Sequence, residues 1–281
     1  MTAFDKRLTP ARGDIAAAHL KGEVEAPRYV DGEARQVIAA AAAVRRAPSD
    51  EAMLETQALF GDGFTAYEDK DGWCWGQMAS DGYVGFVRSA DLTSDIAAPT
   101  HEIAVLRSYA FTGPDLKSPP RLSLSLSSRL SVLETDGKWA RAAHAGWVYA
   151  AHLRPLGAHA GDWVAEAERF VGAPYLWGGK DSFGLDCSGL MQTAMASAGV
   201  AAPRDTDMQE ASVGRAITVD LGALKRGDLV FWKGHVGVML DGERLLHANA
   251  HHMMTAIEPV REAVARIEAV AGPVTSIRRT L

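Results

Sequence analysis

The sequence predicts an α+β chain in which two small antiparallel β modules precede a mixed helix-and-strand domain. Three observations carry this. Up to about residue 160, short alternating apolar–polar runs are cut by Gly, Asp and Pro: "ETQALFGDGFTAYEDKDGWCWGQM", "DGYVGFV", "HEIAVLRSYAFTG" and "LSLSLSSRLSVLETDGKWARAAH". Period-two alternation broken by Asp-Gly turns is the pattern of short antiparallel strands. A weak internal repeat then aligns "GFVRSADL" at 85–92 with "GWVYAAHL" at 146–153, a period of about 61 residues, as expected of one small barrel each. Beyond residue 160 helical patterns come first, "DWVAEAERFVG" and "DCSGLMQTAMASAGV", followed by the strand patterns "GDLVFW", "HVGVML", "RLLHAN" and "VTSIRRTL".

Taken in order, residues 1–48 mix Pro, Ala and charge and are expected to form a partly helical lead-in packed on the first module. Residues 49–97 form that module, with Asp71-Gly72 turning into Trp73, and residues 98–157 form the second, with Asp136-Gly137 turning towards Trp139. Residues 158–281 form the α+β domain. Within it, Leu190, Met191, Ala194, Met195 and Ala198 follow the spacing of one helix face, with Asp186 as N-cap and Gly199 just past the end. "PRDTDMQ" starts another helix with a Thr206–Gln209 capping box. "FWKGHVGVMLDGERLLHANA" is a hairpin turning at Asp241-Gly242.

A formal charge of −6 supplies no basic footprint, so neither nucleic acid nor a membrane surface is an expected partner. Two cysteines make no disulfide framework, and no zinc-ligand spacing is present, so neither metal nor cofactor is expected. The opening "MTAFDKRLTPARGDIAAAHL" lacks the apolar core of a secretory signal, and the longest apolar run, "VIAAAAAV", falls far short of the ~20 residues a membrane helix needs. A cytoplasmic location is expected. Oligomeric state is not legible.

The chemistry centres on Cys187, in the first turn of the helix that Asp186 caps. There the helix dipole and unpaired N–H groups favour a thiolate and can stabilise an oxyanion. Position alone fits two readings, a nucleophile and a buried structural thiol. A nucleophile also needs a base, and the base an orienter. The hairpin offers both, because strands about 5 Å apart bring His247 to within a few residues of the point opposite His235. Exposed strand histidines, or a metal site with His251 and His252, are the other readings of that pair. Cys74, between Trp73 and Trp75 on an expected strand, reads as the ordinary structural thiol.

"PYLWGGKDSFGLDCSGL", followed by "PRDTDMQ", "KRGDLVFW", "HVGVML" and "LLHANA", resembles the NlpC/p60 family of cell-wall cysteine peptidases. The resemblance implies a papain-like catalytic domain preceded by two bacterial SH3-like barrels. It also implies Cys187 as nucleophile, His235 as base, His247 as the third, orienting residue, and Tyr175 near the oxyanion hole. The layout is similar to the dipeptidyl peptidase VI-like γ-D-glutamyl-L-diamino acid endopeptidases. These cleave free murein peptides, L-Ala-γ-D-Glu followed by diaminopimelate or lysine, with the first SH3 domain demanding a free N-terminal L-Ala. On that pattern Tyr83 and Glu55 reach the substrate from the SH3 side, and Trp177, Asp186, Ser188, Asp205 and Thr206 contact it from the catalytic domain. Two positions depart from the family pattern: "GDG" at 61–63 stands where relatives often have Gly-Glu, and Thr206 replaces a common serine. The alternatives are an acyltransferase or amidase on the same core, or a non-catalytic SH3-type wall-peptide binding protein.

Overall fold

The computed structural model describes residues 4–280, and the chain divides into two units, Met1–Leu156 and Gly157–Leu281.

The first unit is built from β-strands and short 3-10 turns. Its largest sheet has seven strands, in the order Leu92–Thr93, Glu33–Val37, Gly63–Lys70, Trp73–Met78, Val84–Arg88, Ala41–Arg45 and Leu54–Leu59. Every pairing is antiparallel. Asp71 and Gly72 both take positive φ, the tight turn that the right-handed twist of the flanking strands favours. Inward residues of these strands close a core around Val37, Val44, Phe64, Met78, Tyr83 and Val87.

A second sheet runs Pro120–Ser125, Arg107–Phe111, Gly146–Tyr149, Trp139–Ala142 and Val132–Asp136, again antiparallel throughout. Together with the short strands Arg129–Leu130, His101–Ile103 and Leu153–Pro155, it surrounds Ile103, Leu124, Leu130 and Val148. Phe60, from the turn after Leu54–Leu59, belongs to this second core. Gly61 beside it has φ +82°, and a Cβ there would lie 2.0 Å from the Arg129 carbonyl oxygen. Asp62 completes the "GDG" loop by accepting the Leu59 N–H at 2.9 Å.

The repeat read from sequence has a structural counterpart. Val84–Arg88 leads through the 3-10 turn Ser89–Asp91 into Leu92–Thr93, and Gly146–Tyr149 leads through Ala150–His152 into Leu153–Pro155.

The expected partly helical lead-in over 1–48 is corrected. Glu33–Val37 and Ala41–Arg45 are strands of the seven-stranded sheet, and the latter pairs along its length with Leu54–Leu59, across the expected boundary at 48/49. Alanines in Ala41–Arg45 hid this strand, because small side chains give almost no alternation signal. Residues 1–3 of the expected lead-in lie outside the described residues.

The second unit is α+β. Its sheet has six antiparallel strands in the order Arg215–Ile217, Ser276–Arg279, Asp228–Trp232, His235–Met239, Arg244–Asn249 and Met254–Pro259. Beside it stand a two-stranded ribbon, Lys180–Asp181 with Gly184–Leu185, and helices α1 (Trp163–Glu168), α2 (Cys187–Ser197), α3 (Thr206–Ser212) and α4 (Val260–Ala271). Trp232, Met239 and Leu245 pack with Val260, Ala263 and Ile267 of α4. Helix α2 packs on the strands His235–Met239 and Arg244–Asn249. The amphipathic reading of α2 is corrected: Gln192, Thr193 and Ser197 on its other side are buried too. Their donor groups are used inside the fold, with the Gln192 amide donating to the Ala202 carbonyl, Thr193 to the Lys180 carbonyl and Ser197 to Glu166.

Among the described residues no helix is long and apolar enough to cross a membrane.

Candidate active site

Helix α2 begins at Cys187. Asp186 is its N-cap, with extended backbone and a carboxylate that accepts the Gly189 N–H at 2.7 Å. Gly189 is required here, since a Cβ would lie 2.1 Å from the Gly179 carbonyl oxygen. The "WGG" loop therefore sits directly on the first turn. At the other end, Gly199 has φ +75° just past the cap, the conformation a C′ glycine supplies.

The carboxylate of Asp186, one of the expected substrate contacts, is engaged within the fold. Its two oxygens accept from Gly178 N–H, Gly189 N–H, the Ser188 hydroxyl and both terminal nitrogens of Arg204, at 2.6–3.3 Å. With every acceptor direction used, no lone pair remains for an ammonium group. Arg204 is 2% exposed and also donates to the Ser188 hydroxyl and the Gly179 carbonyl. This bidentate pair fastens the glycine loop to the start of α2.

The Cys187 sulfur is 3.8 Å from the Thr206 hydroxyl and 4.0 Å from the Gly234 carbonyl oxygen, and it accepts from the Val236 N–H. Gly234 and Val236 flank His235 in the chain, so the nucleophile candidate meets the strand at the histidine. Burial, reinforced by the Asp186 charge, pushes the Cys187 thiol up to about 11 despite the helix terminus. The expected thiolate is therefore not the resting form. Tyr175, half-buried, is raised by burial first and then by the neighbouring Cys187 and Asp186, so its hydroxyl keeps its proton.

His235 opens its strand opposite Trp232, whose fully buried ring lies 5.7 Å from the imidazole. Across the hairpin Met239 faces Leu245 and Val238 faces Leu246, which brings His247 opposite Gly237 and diagonal to His235. Gly237 leaves the space for it, since a Cβ there would lie 3.1 Å from the His247 Cβ. The result is a 2.8 Å hydrogen bond between His235 Nε2 and His247 Nδ1. Desolvation drives His235 down to about 3, with His247 and Arg266 acting in the same direction and Glu258 opposing them. His247, completely buried, is also lowered by desolvation. Both rings are neutral at pH 7, the state a general base requires.

Sequence reasoning missed the next link. His247 Nε2 lies 2.6 Å from Glu258 Oε1, and Arg266 of α4 donates to the same oxygen. Burial alone would raise Glu258, but the bonds from His247 and Arg266 prevail and hold it at about 2. His247, His252 and Glu258 are also the group among the described residues whose ligand atoms lie within 4.8 Å of one another. The Glu258 oxygen is already shared by an imidazole and a guanidinium, and His252 Nδ1 is bonded to Asn249. The trio thus reads as a hydrogen-bond relay rather than a metal cage.

The remaining candidates fall into two groups. Ser188 and Thr206 are buried around Cys187, Asp205 is partly exposed as N-cap of α3, and Trp177 is 60% exposed on the loop before α2. The Thr206–Gln209 capping box does not form. Asp205 takes the cap position, and the Gln209 amide donates to the Ser188 and Pro203 carbonyls instead, tying α3 to α2. Glu55 and Tyr83 lie in the first unit. There Glu55 is ion-paired with Arg46, and the buried Tyr83 is near enough to Arg46 to act on its charge.

Residues 172–270 match the NlpC/P60 family, and residues 44–92 match the bacterial dipeptidyl-peptidase SH3 domain. Among curated proteins, the γ-D-glutamyl-L-lysine dipeptidyl-peptidase of Bacillus cereus is 29% identical over 240 residues, covering 74% of this chain and 71% of the relative. Dipeptidyl-peptidase 6 of Lysinibacillus sphaericus is 38% identical over 86 residues, 31% of each chain. Among solved structures, an NlpC/P60 family protein from Bacillus cereus superposes with a TM-score of 0.72 at 21% identity, covering 88% of this chain and 99% of that one. The chain carries an NlpC/P60 domain and a bacterial SH3 domain, and the named relatives support a peptidase.

Proposed function

From an NlpC/P60 domain preceded by a bacterial SH3 domain, we propose a cysteine peptidase that hydrolyses the γ-D-Glu–diamino acid bond of free murein peptides bearing an N-terminal L-Ala. The observation that carries the reading is the Cys187 sulfur resting against Gly234 and Val236, the two chain neighbours of His235, together with the 2.8 Å hydrogen bond from His235 to His247. The Cys187 sulfur attacks the γ-carbonyl carbon of D-Glu as its proton passes to His235. The resulting oxyanion is met by N–H groups at the start of α2 and by the protonated Tyr175 hydroxyl. Collapse breaks the C–N bond, and His235 returns the proton to the departing diamino-acid amine. Water then hydrolyses the thioester with His235 again as base.

The substrate class rests on the relatives' names and on the sequence pattern of the SH3 domain, with Glu55 as the acid for the L-Ala ammonium and Tyr83 beside it. Trp177, Ser188, Asp205 and Thr206 are the proposed contacts from the catalytic domain. In this reading residues 98–157 are a second SH3-like barrel, supported by the strand–3-10–strand repeat they share with the first. Exclusion of peptides with a blocked amine gives specificity by steric and charge mismatch, and points to recycling of released wall peptides in the cytoplasm.

Incubation with L-Ala-γ-D-Glu-meso-diaminopimelate, its lysine analogue and their N-acetylated forms tests the proposal by mass spectrometry. Release of L-Ala-γ-D-Glu from the free peptides only is expected. Equal cleavage of the acetylated peptides overturns the amine requirement, and cleavage of none overturns the substrate class.

A further inference from the structure

We propose that Glu258, held ionised by Arg266, is a positioning residue that fixes the tautomers of His247 and His235 and thereby leaves His235 Nδ1 as the unprotonated nitrogen that accepts the Cys187 proton. The inference rests on the catalytic reading of Cys187, His235 and His247 given above, and extends it by two residues that lie outside the sequence motifs.

The geometry comes from the sheet and the helix behind it. Glu258 pairs with Leu245 across the strands Arg244–Asn249 and Met254–Pro259, which sets its side chain diagonal to His247 on the same face. Arg266 reaches that face from α4. Glu258 Oε1 takes both partners, His247 Nε2 at 2.6 Å and the Arg266 guanidinium. A protonated carboxyl could donate to His247, whereas an ionised one only accepts. The permanent charge of Arg266 at the same oxygen selects the ionised form.

The proton positions then follow in order. His247 must carry its proton on Nε2 to donate to Glu258. Its Nδ1 is left as a lone pair, which accepts the Nε2–H of His235 across 2.8 Å. A neutral His235 with its proton on Nε2 has its lone pair on Nδ1. If His247 carried its proton on Nδ1 instead, His235 Nε2 would have to accept, its proton would move to Nδ1, and no base would face the thiol. Once His235 takes the Cys187 proton, the imidazolium donates to a His247 ring already polarised by Glu258, which stabilises that charge without a second proton leaving. The charged and titratable groups around this pair are Glu258, Arg266, His252, the two histidines themselves and the Cys187 thiol, which lies against the chain neighbours of His235. Glu258 raises His235, Arg266 lowers it, and His252 bears on His247.

The test combines a spectrum and a pH profile. Long-range 1H–15N correlation on the 15N-labelled wild-type chain should show both His247 and His235 protonated at Nε2 and bare at Nδ1. A His247 protonated at Nδ1 overturns the proposal. Glu258→Gln removes the charge at constant shape and should lower kcat about 10-fold or more while KM stays within about twofold. It should also move the acidic limb of kcat/KM to lower pH. Arg266→Met should move that limb to higher pH, and it serves as the independent variant where Glu258→Gln does not fold. Wild-type kcat and an unshifted limb in Glu258→Gln, or an unshifted limb in Arg266→Met, overturn the proposal. The spectrum needs no substrate, so absence of peptidase activity would sink the proposed function while the tautomers were still read directly.

Discussion

The chain holds two buried free thiols, alike in burial and in the direction in which burial moves their pKa. Cys74 is 1% exposed and Cys187 is 5% exposed. Burial raises the pKa of both. Cys74 is the second residue of the strand Trp73–Met78, with its sulfur 3.6 Å from the Ser89 hydroxyl, which itself donates to Asp69. Cys187 sits at a helix start, against the two residues that flank an imidazole. What separates them is the company each keeps. Ser89 and Asp69 hold a thiol in place, whereas in the proposed function His235, backed by His247 and Glu258, removes its proton. On that proposal a depressed thiol pKa is not the mark of the nucleophile; a neutral base in the right place is.

The largest effect separates the two cysteines outright. Cys187→Ala should lower kcat/KM by about four orders of magnitude or more in the murein-peptide assay, at unchanged circular dichroism. Retained turnover would erase the distinction.

A smaller effect sharpens the role of the base. His235 is held far below its ordinary 6.5, so it stays neutral well into acid, and the acidic limb of kcat/KM should lie below 6.5. The same shift bears on stability. The folded chain binds fewer protons at His235 than the unfolded chain does, so this contribution is complete above about pH 6.5 and is lost as the pH falls from there towards about 3. Urea titrations across that window should show stability falling with acidification, and a limb at or above 6.5 would contradict the neutral-base assignment. The smallest effect belongs to Cys74→Ala: kcat/KM within about twofold, with stability lowered by about 1 kcal/mol in urea denaturation.

How much of this was legible in the sequence differs between the two units. In the second unit, Asp186, Cys187, His235 and His247 could be placed because a cap, a helix period and an Asp-Gly hairpin each leave a local pattern. Glu258 and Arg266 could not. Their link to His247 depends on the register of a third strand and on the packing of α4, which no local period encodes. Arg204 lies within the motif that reads in sequence as a helix start, yet it turns inward to Asp186, because only the folded loop brings Gly179 and α2 together. In the first unit the Trp-rich hairpins were plain. The alanine-rich strand Ala41–Arg45 was not, because its burial comes from its neighbours rather than from its own side chains.

The most direct test of the central claim is alkylation by substoichiometric iodoacetamide at pH 7, with peptide mapping and activity followed together in wild type and His235→Ala. The account predicts label on Cys187, loss of activity in proportion to it, an untouched Cys74, and much slower labelling of Cys187 once His235 is gone. Label on Cys74 first, or equal rates at Cys187 with and without His235, would contradict it.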